Sequence, residues 1–222
     1  MTYYLHVYLM ACKLYTPIIA GTAFLAFAVT VLPVSGITGP LITYLGRYTR
    51  VIQLGWLLSV LGSGLLIMID VNTHPAAWVV IFMCAGAGQG LLLIGHSVAI
   101  QASCREDDAA HAISMYSFLR SLGLCMGVIL GGTIFQNFFR LRLQRDGLPV
   151  GVAANFEGFL PTLQSMPEEV PMKMELQQAY AWALKSLFGT STGIGFVGLL
   201  LSLKIDDYTL IYGSSPLRKT EK

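Results

Sequence analysis

Three groups of residues in this 222-residue chain have types and spacings that could do chemistry. The first is Arg120, the only Lys, Arg, Asp or Glu inside five long stretches of low polarity, residues 18–45, 51–69, 76–103, 112–139 and 186–203. At ~1.5 Å per residue it lies on the order of 12 Å into the fourth stretch, close to the middle of a bilayer core. A charge at that depth costs from about 3 to over 10 kcal/mol, so it must face a cavity or a protein partner. The bland alternative is a structural Arg satisfied by helix-end carbonyls. The second group is Gln89 and His96, two helical turns apart on one face with Gly86 nearby. A polar stripe of this kind gives a translocated solute the hydrogen-bonding partners that lipid lacks. His96 could also titrate near neutral pH and carry a proton, or be an ordinary satisfied helix contact. The third group is Glu106, Asp107 and Asp108 with His111 just after. These could serve a metal or a surface reaction, but they match no ligand spacing, and carboxylates at a helix start more simply answer its free donors and positive dipole end.

Several chemistries find no support. No GxxxxGK[ST] phosphate loop and no HExxH pair is present, so neither ATP-driven pumping nor zinc proteolysis is indicated, and no metal or other cofactor is expected. Cys12, Cys84, Cys104 and Cys125 are widely spaced and form neither a CxxC pair nor a disulfide framework. A net charge of +2 without a clustered basic face sets nucleic acid aside as a partner.

The elements that must position these residues follow from composition. Charged residues are 12% of the chain, about half the soluble average, and hydrophobic residues reach 55%. Each of the five stretches is about long enough to cross a bilayer core, and a soluble core helix would instead show charges on one face every turn. The expected fold is therefore all-α, a polytopic transmembrane helix bundle with the lipid bilayer as its surroundings. Residues 1–15, with Tyr3, Tyr4 and Tyr8, suit a membrane interface and read as the end of a preceding transmembrane helix. A chain that opens partway through a helix is expected to be part of a longer one.

Pro33, Gly36, Gly39 and Pro40 predict a kink or local unwinding in the first stretch, tolerable only against neighbouring helices or water. The links after the first and third stretches carry Arg47, Arg50 and Arg105, whereas the link 70–75 has no Lys or Arg. Short basic loops favour the cytoplasm, which places the first and third links and the tail 204–222 inside. Residues 140–185 then form a long extracytoplasmic connection, beginning with Arg140, Arg142 and Arg145. Its second half has a helical period through Leu176, Tyr180, Ala183, Leu184 and Leu187, an amphipathic approach helix lying near the interface.

Gly123, Gly127 and Gly131 recur every four residues, a double GxxxG step that predicts close helix packing, static or sliding. Arg120 projects on the same face. Similar small-residue spacing occurs at Gly55, Ser59 and Ser63, and at Gly86 and Gly90.

The run Gly39-Pro40-Leu41-Ile42-Thr43-Tyr44-Leu45-Gly46-Arg47-Tyr48-Thr49-Arg50 resembles the second-half copy of the signature loop of major facilitator transporters, G-x-L-x-D-x-x-G-R-x-x-R. Gly39, Leu41, Gly46, Arg47 and Arg50 match, and Thr43 replaces the Asp that would pair with a loop Arg. The run Phe118-Leu119-Arg120-Ser121-Leu122-Gly123, continuing through Gly131 to Asn137, resembles the penultimate helix of fungal fourteen-helix multidrug:proton antiporters, and 202–210 resembles how those chains leave their last helix. The resemblance implies the C-terminal part of a major-facilitator fold. It also implies proton-coupled export of small organic molecules, as in drug or secondary-metabolite efflux, with Arg120, Gln89 and His96 on the substrate or proton path. The principal proton carboxylates would lie in helices upstream, supplied by a missing N-terminal half, or two copies would pair as a homodimer. The plasma membrane is the expected location, with the vacuolar membrane as the alternative. No catalytic residue is expected. A polytopic enzyme acting on lipid through Glu106, Asp107, Asp108 and His111, or a packing subunit without activity, remains a different class.

Overall fold

The computed structural model describes residues 2–68, 75–167 and 171–205. Every element among them is helical: α1 (Thr2–Ala11), α2 (Pro17–Leu45), α3 (Tyr48–Ile67), α4 (Pro75–Ala102), α5 (Ala109–Arg145), α6 (Leu160–Ser165) and α7 (Pro171–Ser202), with 3-10 turns at Glu106–Asp108 and Val150–Asn155. Five of these, α2, α3, α4, α5 and α7, are long and apolar enough to cross a membrane. The link 70–75 and the tail beyond 205 lie almost wholly outside the described residues.

The residues fall into two compact units. The first comprises Met1–Ala26, Ser63–Phe82 and Met126–Gly193. Its core is aromatic. Phe135 and Phe139, one turn apart on α5, meet Phe156 and Tyr180 with ring centroids 4.6 Å (Phe135–Phe156) and 4.3 Å (Phe139–Tyr180) apart. The Tyr180 hydroxyl donates to the Phe156 carbonyl at 2.6 Å, and the Tyr4 hydroxyl to the Val128 carbonyl at 2.9 Å. Each phenol thus buries its ring without stranding its polar end. The Tyr4 ring lies where a Cβ on Gly131 would come within 2.6 Å of it, so only glycine fits there.

Chain ends and links are tied down by side chains. Helix α1 closes with Leu14 at φ 53, and the Tyr15 amide donates back to the Leu9 carbonyl at 3.2 Å. This is the left-handed closure that usually takes glycine. The Gln164 amide on α6 donates to the Met10 and Tyr15 carbonyls at 3.3 and 3.0 Å, answering acceptors that a helix end leaves free. Tyr3 donates to Glu157, and the buried Lys173 ammonium to the Met166 carbonyl at 2.7 Å.

Two boundaries differ from the hydropathy reading. Helix α5 runs past Phe139 to Arg145, and Gly147 at φ 69 follows it. Charge ends an apolar stretch without ending a helix, and Arg142 here pairs with Asp146 one turn on at 2.7 Å. The expected approach helix and the last apolar stretch are one element, α7, since no Pro or Gly interrupts 172–188. Leu176, Tyr180, Ala183, Leu184 and Leu187 are all buried, and Tyr180 packs on α5 rings. That face therefore packs on protein.

The second unit comprises Phe27–Gly62, Met83–Cys125 and Ile194–Lys222. Here α4 approaches α2 and α3 through missing side chains. A Cβ on Gly86 would lie 2.9 Å from the Phe27 carbonyl oxygen, and one on Gly90 2.9 Å from that of Val31. On the other side of α4, a Cβ on Gly88 would lie 3.0 Å from the Gly55 carbonyl oxygen. Gly62 on α3 answers with 2.7 Å to the Ala85 Cα. Ile42, Val51, Ile52, Leu91 and Leu92 fill the core between these helices.

Helix α2 stays continuous through Pro33 and Pro40, so of the kink or local unwinding expected there the unwinding does not occur. Each ring removes one backbone bond, and the turns on either side hold. Gly46, at φ 64, closes α2 by donating to the Ile42 carbonyl at 2.9 Å. Among the described residues, a Cβ at Gly123 or Gly127 meets nothing within 4 Å, so nothing here packs against those two steps of the GxxxG run. Residues 117–130 of α5 are exposed without exception.

Candidate functional site

The polar residues of the second unit gather along α4 and the first half of α5. Gln89 is exposed, and its amide nitrogen donates to the Ser59 hydroxyl at 3.1 Å, on the side where Gly88 lets α3 come close. Two turns on, His96 is half-buried, bonds the Leu92 carbonyl, and lies edge-on to Trp56 with centroids 5.9 Å apart. Trp56 is itself fixed from a third side, because Gly198 on α7 lets its ring pass where a Cβ would come within 2.6 Å.

Arg120 is exposed on α5, and its guanidinium is close enough to bear electrostatically on the His96 ring. Thus Arg120 and His96, picked out separately by depth and by spacing, share one neighbourhood. Gln89 lies farther along α4, tied to Ser59.

Beside His96 opens a cavity of about 460 Å³, with Ile52, Ala99, Ile100 and Ile205 as apolar walls and Tyr116, Ser103 and Cys104 as polar ones. The Ser103 hydroxyl and the Cys104 thiol are engaged with the Ala99 and Gln101 carbonyls, at 2.7 and 3.4 Å. The remaining polar side chains on its wall are His96, from α4, and Tyr116, from α5. Tyr116 and Trp56 escaped the sequence reading. The signal for Tyr116 was its place four residues before Arg120, one turn away on the same face.

The signature-loop residues lie apart from the cavity lining. Leu41 packs on the core of the second unit, Gly46 closes α2, and Gly39 and Arg47 are half-buried, while Arg50 is exposed. Tyr48 and Thr49, between the two arginines, are buried and anchor the start of α3. Asp107, Asp108 and His111 are exposed at the start of α5, and among the described residues no three His, Cys, Asp or Glu side chains gather as a metal site.

Comparison with known proteins gives the family of the chain. The family model of the Major Facilitator Superfamily matches residues 1–142. The chain is 34% identical to MFS transporter L2 of Phoma sp. over 94% of its own length and 35% of that protein's. It is 27% identical to the MFS-type transporter sphD of Aspergillus fumigatus over 93% of itself and 37% of the relative. It is 28% identical to the MFS-type efflux pump MMF1 of Pseudozyma antarctica over 94% and 39%. The chain thus spans little more than a third of the length of these relatives. No solved structure matches it. With a family model covering well over half of its residues and five helices of membrane-crossing length, this chain is a multi-pass integral membrane protein belonging to the Major Facilitator Superfamily.

Proposed function

We propose that the chain is the C-terminal third of a proton-coupled exporter of small organic molecules. The observation that carries this reading is similarity along nearly all of the chain to fungal transporters, among them an efflux pump, while only about a third of each relative is matched. Arg120, His96 and Gln89 serve the substrate or proton path. His96 is the one titratable ring in this set, and the charge of Arg120 bears on it. The loops after α2 and α4 and the tail face the cytoplasm, and the plasma membrane is the site of export. The remaining helices come from an N-terminal half. A second copy could replace that half only by pairing through its exposed α5.

The physical case against transport by residues 1–222 alone is that alternating access needs two repeats rocking about a site between them, and five spanning helices supply at most one. The test replaces the last third of the Phoma transporter with this chain and expresses the chimera in yeast lacking its own exporters. Expected is lowered accumulation of a fluorescent organic dye, abolished by a protonophore, with no effect from residues 1–222 expressed alone. A chimera that reaches the membrane folded and leaves dye accumulation unchanged would overturn the reading.

A further inference from the structure

The connection from α5 to α7 does not simply pass over the ends of the helices it joins. It leaves α5 beyond Arg145, yet Phe156 meets the Phe135 ring at 4.6 Å between centroids, and its carbonyl accepts the Tyr180 hydroxyl of α7 at 2.6 Å. At ~1.5 Å per residue, Phe135 lies about 15 Å back from Arg145, and Tyr180 about 14 Å into α7 from Pro171. Glu157, next in the chain, accepts the Tyr3 hydroxyl, about 12 Å back from the end of α1 at Ala11. Through α6 the chain then returns to that end, where the Gln164 amide donates to the Met10 and Tyr15 carbonyls at 3.3 and 3.0 Å. The connection is a re-entrant wedge among α1, α5 and α7, with Ala153, Phe156, Leu160 and Leu163 buried in it.

Helix α1 is thereby held at two levels. Near its start the Tyr4 ring fills the notch at Gly131, lies 6.4 Å from the Phe135 ring, and donates its hydroxyl to the Val128 carbonyl at 2.9 Å, beside Tyr3 on Glu157. At its end Gln164 holds the carbonyls of Met10 and Tyr15. The two levels are about 9 Å apart along the axis. A helix fixed at one level can pivot there; fixed at two, it cannot tilt or bend without opening one of them. Opening either strips part-buried polar groups of their partners, which is costly. The fully buried Phe135 also touches α1, the connection and α7 at once, through Tyr4, Phe156 and Tyr180, and rigid close-packed rings cannot stretch to follow a moving helix.

We propose that the α5–α7 connection is a clamp that locks the end of α1 to α5 and α7. The three helices then travel as one piece through the transport cycle, and the path to the outside does not open between them. That there is a cycle rests on the export reading. The clamp rests on contacts within the first unit, each made by two residues of this chain, so helices contributed from upstream do not enter into it.

The test uses the chimera in which this chain replaces the last third of the Phoma transporter, stripped of its native cysteines and purified into proteoliposomes. Nitroxide labels at Thr16→Cys and Thr162→Cys, both exposed and outside the clamp contacts, report the distance from the end of α1 to α6. Their dipolar coupling is recorded at rest and during dye export driven by an imposed pH gradient. Expected is one narrow coupling, the same in both conditions, that broadens when Glu157→Ala and Gln164→Leu are introduced together. In a second chimera, Met10→Cys and Gln164→Cys are joined by a short bifunctional thiol reagent. This covalent joint replaces the bonds of Gln164, so export should stay within twofold of the parent chimera's. A coupling that shifts during export, a coupling left narrow by the double substitution, or a more than twofold loss of export on cross-linking overturns the proposal. The two readings fail separately. A folded parent chimera that exports nothing sinks the export reading and leaves the double substitution to decide the clamp, whereas export with a shifting coupling removes the clamp and leaves export standing.

Discussion

Where Phe135 meets Phe139, Phe156 and Tyr180 in the first unit, rings fill the space between backbones; where Gly88 meets Gly55 and Ser59 in the second, no space is left to fill. The two regions answer one problem in opposite ways. Helices in lipid gain little from hiding apolar surface from one another, so their association depends on dispersion contact. Large interlocked rings provide it across a wide gap, and absent side chains provide it by closing the gap. The ring-packed unit also holds its links with polar side chains, Gln164, Tyr3 and Lys173, on backbone or carboxylate acceptors. The glycine-packed unit contains the cavity and Arg120. Rings tolerate truncation by leaving a void, while a backbone-to-backbone contact tolerates no addition. The kind of substitution that harms each region is therefore different.

The largest effect is expected at Gly88. Leucine there must displace the α3 backbone at Gly55 and Ser59, which costs more than the roughly 1 to 3 kcal/mol of ordinary overpacking because no flexible side chain can yield. Gly127→Leu, on residues 1–222, should leave stability within about 0.5 kcal/mol, since nothing lies within 4 Å of its Cβ position. Folded yield in detergent and the thermal midpoint of tryptophan fluorescence decide the matter. Similar losses at both sites would erase the distinction between a glycine that touches a backbone and one that merely fits a motif.

This pair of sites also marks how far the sequence could be read. The helical, membrane-spanning class was legible because every crossing of a bilayer core demands about 20 apolar residues, whatever the tertiary structure. The ends of α5 and α7 were not. Hydropathy reports which residues tolerate lipid, and Arg140, Arg142 and Lys185 continue their helices regardless. The double GxxxG at Gly123, Gly127 and Gly131 was visible, yet only Gly131 meets a neighbour among the described residues. Gly62, Gly88 and Gly95 make tight approaches with no glycine four residues away to flag them. Spacing shows which face small residues share, and only the fold shows what stands opposite. For the site, the depth of Arg120 and the stripe of Gln89 and His96 could be seen, whereas the cavity walls from Ile52 and Ile205 come from segments far apart in the chain.

A smaller but still large effect is expected in the first unit from Phe135→Ala. The ring is fully buried against Phe139, Phe156 and Tyr180, and its removal leaves a cavity that rigid neighbours cannot close. Loss of about 3 to 5 kcal/mol is expected, with Phe135→Leu costing markedly less because it refills most of the volume. Denaturation of the purified protein in mixed detergent measures both. If the leucine variant were as unstable as the alanine one, specific ring stacking would matter more than filled space, and the contrast between the units would need restating.

The smallest effect concerns a place where the first unit lacks a glycine that its backbone favours. Leu14 sits at φ 53 while the Tyr15 amide reaches back to Leu9 and Gln164 holds the carbonyls on either side, at Met10 and Tyr15. A left-handed conformation costs an L-residue about 1 to 2 kcal/mol, and a β-branched residue more, because Cβ crowds the following carbonyl. Glycine removes that cost but is destabilised by roughly 0.5 to 1 kcal/mol through its freer unfolded state, and it also gives up the half-buried Leu14 side chain. The terms nearly cancel, so Leu14→Gly should change stability by less than about 1 kcal/mol. Leu14→Val keeps an apolar side chain, adds the branch, and should lose about 1 kcal/mol or more. Thermal midpoints in detergent should therefore rank glycine and leucine together and valine lowest. Equal midpoints for valine and leucine would mean that the turn relaxes out of the left-handed region at no cost, in which case Gln164 would be holding no strained closure at the end of α1.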